Sequence, residues 1–375
     1  MSALDPSVAL LRDLVAIPSV NPMGRPGTGH GEGEIARFVA EYLRHAGLDA
    51  ELDEVSPGRP NVIALFDAGA KRTVLLEAHM DTVHAEQMEI SPFVPEISNG
   101  RLTGRGSCDT KGSLAAWLTV LKALAKAARR PRFNVLLVAV VDEEYQFTGA
   151  QQAVRKGLAA DFGVAGEPTQ LHIVRAHKGV MRWRIITRGK AAHSAYPERG
   201  RNAIYAMSRI VERLQAHADA LAAGKPHPVL GRPTLSVGII EGGQAVNIVP
   251  DYCRIEVDRR LLPGETPGGA LGAVRDALAG VSDWAMDEPH LAVEGMELPE
   301  DAEIIDLLSR AITASDKALH VESAQYATDA ALYTTAGIPT VVFGPGDIAQ
   351  AHTASESIDL EEYASAISII QRMVQ

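Results

Sequence analysis

Cysteine is nearly absent from this chain: only Cys108 and Cys253 occur among its 375 residues. Two cysteines cannot build a disulfide framework or a thiolate zinc site, so we expect neither a disulfide-stapled fold nor a zinc finger. Sparse cysteine fits a reducing compartment. A cytoplasmic location is therefore the default expectation.

An excess of basic residues is also missing. Lys and Arg total 36 against 47 Asp and Glu, which gives a formal net charge of −11. Binding to the phosphates of nucleic acid requires clustered Lys and Arg. The charge balance therefore argues against a nucleic-acid partner.

Long apolar runs are lacking at the N-terminus. Asp5, Arg12 and Asp13 interrupt the apolar residues of segment 1–20, and no basic start precedes a continuous apolar stretch. We therefore expect neither a signal peptide nor a membrane span here, and no membrane partner. At about 150 residues per domain, the length of the chain predicts two domains.

Apolar runs rich in Val, Ile and Leu alternate with helical patterns along much of the chain. We predict buried strands at residues 73–78, 133–141, 162–165 and 340–343, and helices at 109–128 and 360–374. Continuous apolar strands separated by helices are typical of an α/β sheet that is covered on both faces.

The middle of the chain has a different pattern. Residues 181–187 and 253–257 alternate polar and apolar side chains, as half-exposed strands do, and a helical pattern spans 202–222. This order is typical of a small α+β domain with one exposed sheet face. Because a further apolar strand and a helix follow it, we expect this domain to be inserted into the first.

The first candidate for chemistry is the pair His79 and Asp81, which follows the predicted strand 73–78. Residues two apart on a strand face the same way, so both side chains can share one site. An imidazole that binds a metal usually donates its other N–H to a carboxylate. On its own, such a pair is more often a structural hydrogen bond than a metal site.

Other candidate ligands follow predicted strands or precede a helix: Asp109, Glu143, Glu144, Glu167 and His352. Taken singly, Asp109 could be a helix cap, and the adjacent glutamates could simply be solvated. Taken together, two His and several carboxylates form an N/O ligand set that suits zinc, cobalt or manganese. Open α/β sheets gather their ligands in loops beyond the carboxyl ends of strands, where these residues are predicted to lie.

Five ligands can serve two tetrahedral ions only if one carboxylate bridges them and water completes the coordination. Two ions about 3.5–4 Å apart acidify that water and polarise a scissile carbonyl. The pattern therefore predicts a two-metal hydrolase.

Four segments resemble, in order, motifs of the M20 family of metallopeptidases and deacylases: His-Met-Asp-Thr-Val at 79–83, Gly-Arg-Gly-Ser-Cys-Asp-Thr-Lys-Gly at 104–112, Asp-Glu-Glu at 142–144 and Gly-Glu-Pro-Thr at 166–169. The likeness runs from about residue 11 to the C-terminus. It implies a mixed-sheet α/β catalytic domain of the di-zinc exopeptidase type, residues 1–175 and 293–375. An α+β lid and dimerisation domain, residues 176–292, would be inserted into it.

The resemblance implies a role for each candidate. Asp109 would bridge two divalent ions, zinc in the first place with cobalt or manganese as alternatives. His79 and Glu167 would complete one site, and Glu144 and His352 the other. Asp81 would orient His79, and Glu143 would be the general base that takes a proton from the bridging water. The resemblance also implies a cis peptide bond at Asp109–Thr110.

Motifs in the inserted domain are similar to those of the family as well. His193, in Gly-Lys-Ala-Ala-His-Ser at 189–194, would help to stabilise the oxyanion, often across a homodimer interface. Asn247 would lie near the substrate, and Arg260 would bind its carboxylate, because a planar guanidinium suits bidentate capture. An ordinary strand-end histidine and a surface salt bridge are the alternatives for His193 and Arg260.

Substrate preference is read from two features. Glu167, where aminopeptidase branches commonly have Asp, favours the deacylase and carboxypeptidase branches. The segment from Gly344 to Thr353 looks most like that of acetylornithine deacetylases and desuccinylases, so Gly344 is a candidate substrate contact. We expect acetylornithine-type deacetylation of a small N-acyl amino acid. Succinyl-diaminopimelate desuccinylation, carboxypeptidase or aminopeptidase action on a short peptide, and a non-catalytic binding protein are the alternatives.

Overall fold

The computed structural model of the protein describes residues 4–24, 29–128 and 130–375. These residues form two compact units. The first unit holds residues up to 175 together with 298–322 and 328–375, and the second holds 176–297 and 323–327. Residues 1–3, 25–28 and 129 of the predicted first domain lie outside the described residues.

The helices of the described residues follow one another in chain order as α1 Pro6–Ala16, α2 Gly33–His45, α3 Lys111–Lys126, α4 Thr148–Arg155, α5 Ala203–Ala223, α6 Pro267–Ala277, α7 Glu303–Thr313, α8 Ala330–Thr335 and α9 Leu360–Val374. Short 3-10 turns occur at Pro197–Arg199 and Ile348–Gln350. Within the described ranges, none of these helices combines the length and the apolar character needed to cross a membrane.

The strands are β1 Ala50–Ser56, β2 Arg59–Phe66, β3 Thr73–His79, β4 Glu96–Ser98, β5 Arg101–Thr103, β6 Asn134–Val140, β7 Phe162–Ala165, β8 Ile173–His177, β9 Gly179–Arg188, β10 Ala192–His193, β11 Thr234–Gly242, β12 Ile248–Val249, β13 Tyr252–Leu261, β14 Trp284–Met286, β15 Leu291–Val293, β16 Met296–Glu297, β17 Val321–Ala324, β18 Thr340–Val342 and β19 Ser357–Asp359. The predicted strands and helices are confirmed, and β7 and α9 have the predicted bounds. The largest difference is at β13, which continues past the predicted end at 257 and so includes Arg260.

The main sheet of the first unit has the strand order β1-β2-β6-β3-β7-β18-β8. The pairings β6–β3, β3–β7 and β7–β18 are parallel. Those of β1–β2, β2–β6 and β18–β8 are antiparallel, so the predicted mixed sheet is confirmed.

Apolar side chains cover both faces of this sheet. Along β3, Val74 and Leu76 belong to the larger core cluster, which includes residues of α1, α2, α3, α7 and α9. Leu75 faces the opposite way, into a cluster with residues of α4 and α8. Because alternate residues of a strand share a face, Glu77 and His79 lie on the same face as Leu75.

The second unit contains an antiparallel sheet of order β11-β13-β9-β14, and β15 also pairs with β9. One face packs on α5 and α6 through buried residues such as Trp183 and Ile255. The other face carries ion pairs between the strands, including Arg182 with Asp258 at 2.9 Å. This is the α+β pattern that the alternation of polar and apolar residues predicts.

The second boundary between the units lies at 297/298 rather than at the predicted 292/293. Residues 291–293 form β15, whose pairing with β9 keeps them in the second unit. The backbone pairing of Met296 with His177 keeps β16 there as well. Strands of two or three residues are too short to show an apolar periodicity, so they are difficult to predict from the sequence.

Candidate metal centre

The parallel strands of the first unit end at one edge of the sheet, and the candidate ligands lie at or just after these ends. His79 is the last residue of β3, Glu144 follows β6, and Glu167 follows β7. Asp109 lies in the loop that precedes α3. Four segments that are distant in sequence therefore meet at one place, as expected for an open α/β sheet.

One group of ligand atoms comprises His79, Asp109 and Glu167, whose donor atoms all lie within 4.8 Å of one another. Nε2 of His79 lies 3.0 Å from Oδ1 of Asp109 and 3.8 Å from Oε1 of Glu167. All three residues are buried. One nitrogen and two carboxylate oxygens at this spacing suit a divalent ion.

A second group comprises Asp109, Glu144 and His352. Nε2 of His352 lies 3.2 Å from Oδ2 of Asp109 and 3.2 Å from Oε2 of Glu144. Asp109 therefore takes part in both groups, with Oδ1 facing His79 and Oδ2 facing His352. This is the geometry that a bridging carboxylate requires.

The charges of the two groups fit cations. Burial and the nearby carboxylate of Asp109 together raise the pKa of Glu144 to about 7. Burial also raises the pKa of Glu167 well above its ordinary value. Hydrogen bonds to Asp109 and Glu144 raise the pKa of His352 to about 10, so the cluster strongly favours positive charge. A divalent cation supplies such charge while leaving imidazole nitrogens free to coordinate.

Asp81 has more contacts than its predicted role requires. Nδ1 of His79 lies 2.9 Å from the main-chain oxygen of Asp81 and 3.6 Å from its Oδ1. Its carboxylate accepts hydrogen bonds from the side chain of Asn21 at 2.7 Å and from the main-chain N–H groups of Glu143 and Glu144 at 3.2 and 3.1 Å. Asp81 thus contacts the histidine through its main chain and the paired glutamates through its side chain.

The side chain of Glu143 belongs to neither ligand group. Burial raises its pKa well above the ordinary value, and the charges of Asp329, Glu144 and Asp109 raise it further. A half-buried carboxyl group next in sequence to the candidate ligand Glu144, but outside the two groups, is free to carry protons.

The backbone around the shared ligand has two notable features. The Asp109–Thr110 peptide bond is cis, as the family resemblance implies. Gly344, after β18, lies so close to its neighbours that a Cβ there would come within 2.6 Å of the main-chain oxygen of Glu167 and 2.4 Å of Oγ of Ser113. Only glycine fits at this position, which keeps the segment after β18 packed against the Glu167 loop.

The candidates in the second unit have local partners. Exposed His193 accepts a hydrogen bond at Nδ1 from the N–H of Ala195, and the main-chain oxygen of Asn247 accepts one from Ser194. Nε of Arg260 donates to Asp258 at 3.0 Å. The salt bridge considered for Arg260 therefore exists, and its side chain is still 28% exposed.

Comparison with known proteins identifies the family. The family model described as peptidase family M20/M25/M40 matches residues 75–375. The chain belongs to this family. It is 33% identical to an acetylornithine deacetylase of Myxococcus xanthus over 90% of each chain. It is 30% identical to an acetylornithine deacetylase of Photorhabdus laumondii subsp. laumondii, covering 99% of this chain and 97% of that relative.

Solved structures of the M20 family share the fold. An M20-family metallo-carboxypeptidase from Sulfolobus solfataricus aligns with a TM-score of 0.82, at 21% identity over 99% of each chain. The predicted enzyme class is therefore confirmed: the chain is an M20-family hydrolase of amide bonds.

Two buried residues around the centre of this M20 hydrolase escaped the sequence analysis. Asn21 donates to Asp81 and also, at 3.0 Å, to Asp142. Glu356 accepts the main-chain N–H of Asp109 at 3.0 Å. Neither lies in a motif used above, and the one available signal was that Glu356 shortly follows His352.

Proposed function

We propose that this M20-family hydrolase binds two divalent metal ions and removes the acyl group from N-acyl amino acids, with acetylornithine-type deacetylation as its activity. The observation that carries the proposal is the pair of ligand groups that share Asp109, in a chain whose curated relatives are named acetylornithine deacetylases. Zinc is the proposed metal, with cobalt and manganese as substitutes, because the donor set consists of imidazole and carboxylate groups.

The proposed ligands divide the centre into two sites. His79, Asp109 and Glu167 would hold one ion, and Asp109, Glu144 and His352 the other. Two such ions supply a Lewis acid for the amide carbonyl and lower the pKa of the attacking water. Within each group, the nitrogen and oxygen atoms lie within 4.8 Å of one another, which supports this division.

Glu143 is the proposed general base. It takes a proton from the water as the water oxygen bonds to the carbonyl carbon. The C–N bond then breaks, and Glu143 returns the proton to the departing nitrogen. The products are a carboxylate and a free amine. The half-buried position of Glu143, outside both ligand groups but within the electrostatic influence of Glu144 and Asp109, supports this role.

The second unit supplies the proposed substrate contacts. Arg260 would pair with the α-carboxylate, exchanging its bond to Asp258 for a bidentate one. Asn247 and His193 would contact the substrate and the developing oxyanion, and Gly344 is a further proposed substrate contact. The exposed side chains of His193 and Asn247 support these contacts.

We also propose a homodimer that works in the cytoplasm. Support for the dimer comes from β11, an edge strand of the second unit on which Ile239 and Ile240 are 47% and 56% exposed. Support for a reducing compartment comes from Cys108 and Cys253, which are both free.

A substrate panel tests the proposed activity. The protein is freed of metal with a chelator and then loaded separately with zinc, cobalt or manganese. Release of amine is measured from Nα-acetylornithine, other N-acetyl and N-formyl amino acids, N-succinyl-diaminopimelate, and dipeptides with a free amino group. We expect metal-dependent release that is fastest with Nα-acetylornithine. Preferred cleavage of the succinyl compound or of dipeptides would overturn the acetyl specificity, and binding without turnover of any compound would overturn the enzyme.

A further inference from the structure

Glu356 is the most heavily hydrogen-bonded carboxylate near the candidate metal centre. It is 1% exposed and accepts four hydrogen bonds from the loop that carries Asp109. Oε2 accepts from Nη1 of Arg105 at 2.8 Å and from the N–H of Gly106 at 3.0 Å. Oε1 accepts from the N–H of Cys108 at 2.9 Å and from that of Asp109 at 3.0 Å.

These contacts fix the main chain of the loop rather than the side chain of one residue. Three N–H groups that converge on one carboxylate form an anion-binding concavity, and each charge-assisted bond is stronger than a neutral one. The main-chain oxygen of Glu356 also accepts the N–H of Gly104, at 3.0 Å. The loop is therefore held at both ends and in its middle by a single residue.

The last of these contacts is made by the shared ligand itself. The N–H of Asp109 points to Glu356 while its two carboxylate oxygens face His79 at 3.0 Å and His352 at 3.2 Å. A shift of the Asp109 backbone would carry both oxygens with it. His352 and Glu356 belong to one short segment of chain, so the anchor of the bridging residue is tied to a ligand of the second group.

We infer that Glu356 is a positioning residue that sets the bridging geometry of Asp109, so that the binding of two ions at once depends on it. This inference rests on the proposed metal centre. The hydrogen bonds of the Glu356 carboxylate come from the Arg105 side chain and from three main-chain N–H groups of the loop, and none comes from a ligand atom of either group. Outer partners of this kind typically change metal affinity by about 10- to 100-fold when they are removed.

Glu356→Gln is the direct test. A glutamine amide has one acceptor oxygen and one NH2 group, so whichever way it turns, two of the four donors lose their acceptor. Metal-free protein is titrated with Co²⁺, and the visible absorption gives both the number of ions and their coordination. We expect the parent to bind two ions. In the variant, we expect the second ion to bind about 10- to 100-fold more weakly, with an altered spectrum.

Glu265→Gln is the matched control. Glu265, in the second unit, also accepts from an arginine and a main-chain N–H: Nη2 of Arg259 and the N–H of Leu262, both at 2.7 Å. The control loses the same kind of bonds but touches no segment that carries a candidate ligand. We expect it to keep the cobalt stoichiometry, affinity and spectrum of the parent.

Circular dichroism of the metal-free proteins shows whether the variants fold. If Glu356→Gln does not fold, Glu356→Asp replaces it, since aspartate keeps the charge beside Arg105 but is one methylene shorter. Parental affinity and spectrum in the folded variant would overturn the inference while leaving the proposed activity intact. Two ions bound by the parent with no deacylation would overturn the proposed activity alone. Fewer than two ions in the parent would overturn the metal centre and the inference together.

Discussion

At the residue scale, the candidate centre depends on groups that bind no ion themselves. The carboxylate of Asp81 accepts the N–H groups of Glu143 and Glu144, and its main-chain oxygen contacts His79. One residue therefore positions members of both ligand groups and the proposed base. Glu356 holds Asp109 in the same indirect way. Main-chain hydrogen bonds thus help to position Asp109, Glu144 and His79.

The proposed division of labour between adjacent glutamates can be tested by replacing each with glutamine. Glu143→Gln removes a proton acceptor that belongs to neither ligand group, so we expect kcat to fall by about 10²- to 10⁴-fold with two ions still bound. Glu144→Gln removes a proposed ligand of the second group, so we expect the loss of one ion as well as of activity. Steady-state kinetics and metal analysis of both variants are the measurements.

The contrast between these two variants is the control. The two substitutions lie at adjacent positions and exchange the same atoms, a carboxylate oxygen for an amide nitrogen. A general effect on folding would therefore change both variants alike. Unchanged kcat in Glu143→Gln would exclude it as the general base. Loss of an ion in that variant would show that Glu143 is a ligand.

His177, in the second unit, predicts a pH-dependent stability. The residue is 0% exposed, and burial lowers its pKa to about 4. The unfolded chain, with an ordinary His pKa of about 6.5, therefore takes up a proton at a higher pH than the folded chain does. Stability from this residue is fully present above about pH 6.5 and is lost as the pH falls toward 4. The loss is about 2 kcal/mol at pH 5.

His177→Leu removes this proton uptake. Denaturant unfolding at pH 7 and pH 5 gives the free energy of unfolding of parent and variant. We expect the parent to lose about 2 kcal/mol more than the variant between the two pH values. The double difference cancels other titrating groups, which both proteins share. Equal losses in the two proteins would contradict the buried, neutral state of His177.

At the element scale, the parallel strands could be predicted from the sequence. The residues that hydrogen-bond to the loops after these strands, and the short strands, could not. Continuous Val, Ile and Leu runs predict β3, β6, β7 and β18 because buried strands carry apolar side chains on both faces. Residues at the ends of these strands then follow as candidate ligands. The hydrogen bonds that Asn21 donates to distant residues, and those that Glu356 accepts from the Asp109 loop, follow no periodicity, so only the folded chain reveals them. Short strands such as β15 also lack a recognisable periodicity and so could not be predicted from the sequence.

The exposed edge strand β11 is the place where we expect two copies of the chain to pair. Among the described residues it pairs only with β13, and the opposite edge of its backbone is free to pair with a second copy. Ile240→Lys puts a charge on this exposed edge, and burying that charge in an interface is costly. We expect a dimer mass for the parent and a monomer mass for the variant at micromolar concentration. Light scattering after size exclusion measures both.

Ile97→Lys is the control for this change. Ile97 is likewise an exposed isoleucine, at 41%, on the edge strand β4 of a small sheet in the first unit. We expect this variant to keep the mass of the parent. A parent that is already monomeric would contradict the proposed dimer. A dimer that persists in Ile240→Lys would place the interface elsewhere.

At the scale of the whole molecule, the candidate ligands link parts of the first unit that are far apart in sequence. His79 and His352 both contact Asp109. The centre therefore joins the parts of the first unit that precede and follow the second unit in sequence. Without cations, the crowded carboxylates of Asp109, Glu144 and Glu167 repel one another. Ions that bind only the folded chain must therefore stabilise it.

Removal of metal should accordingly lower the unfolding temperature of the protein. An ion present at 100 times its dissociation constant stabilises the folded state by about 3 kcal/mol for each site. Calorimetry of the chelated and reloaded protein measures the shift, and we expect zinc, cobalt or manganese to restore the original midpoint. Glu144→Gln should recover only part of the shift, because it keeps the group of His79, Asp109 and Glu167 alone. The same midpoint with and without chelator would mean that these five residues hold no ion, since any cation bound there must favour the folded chain.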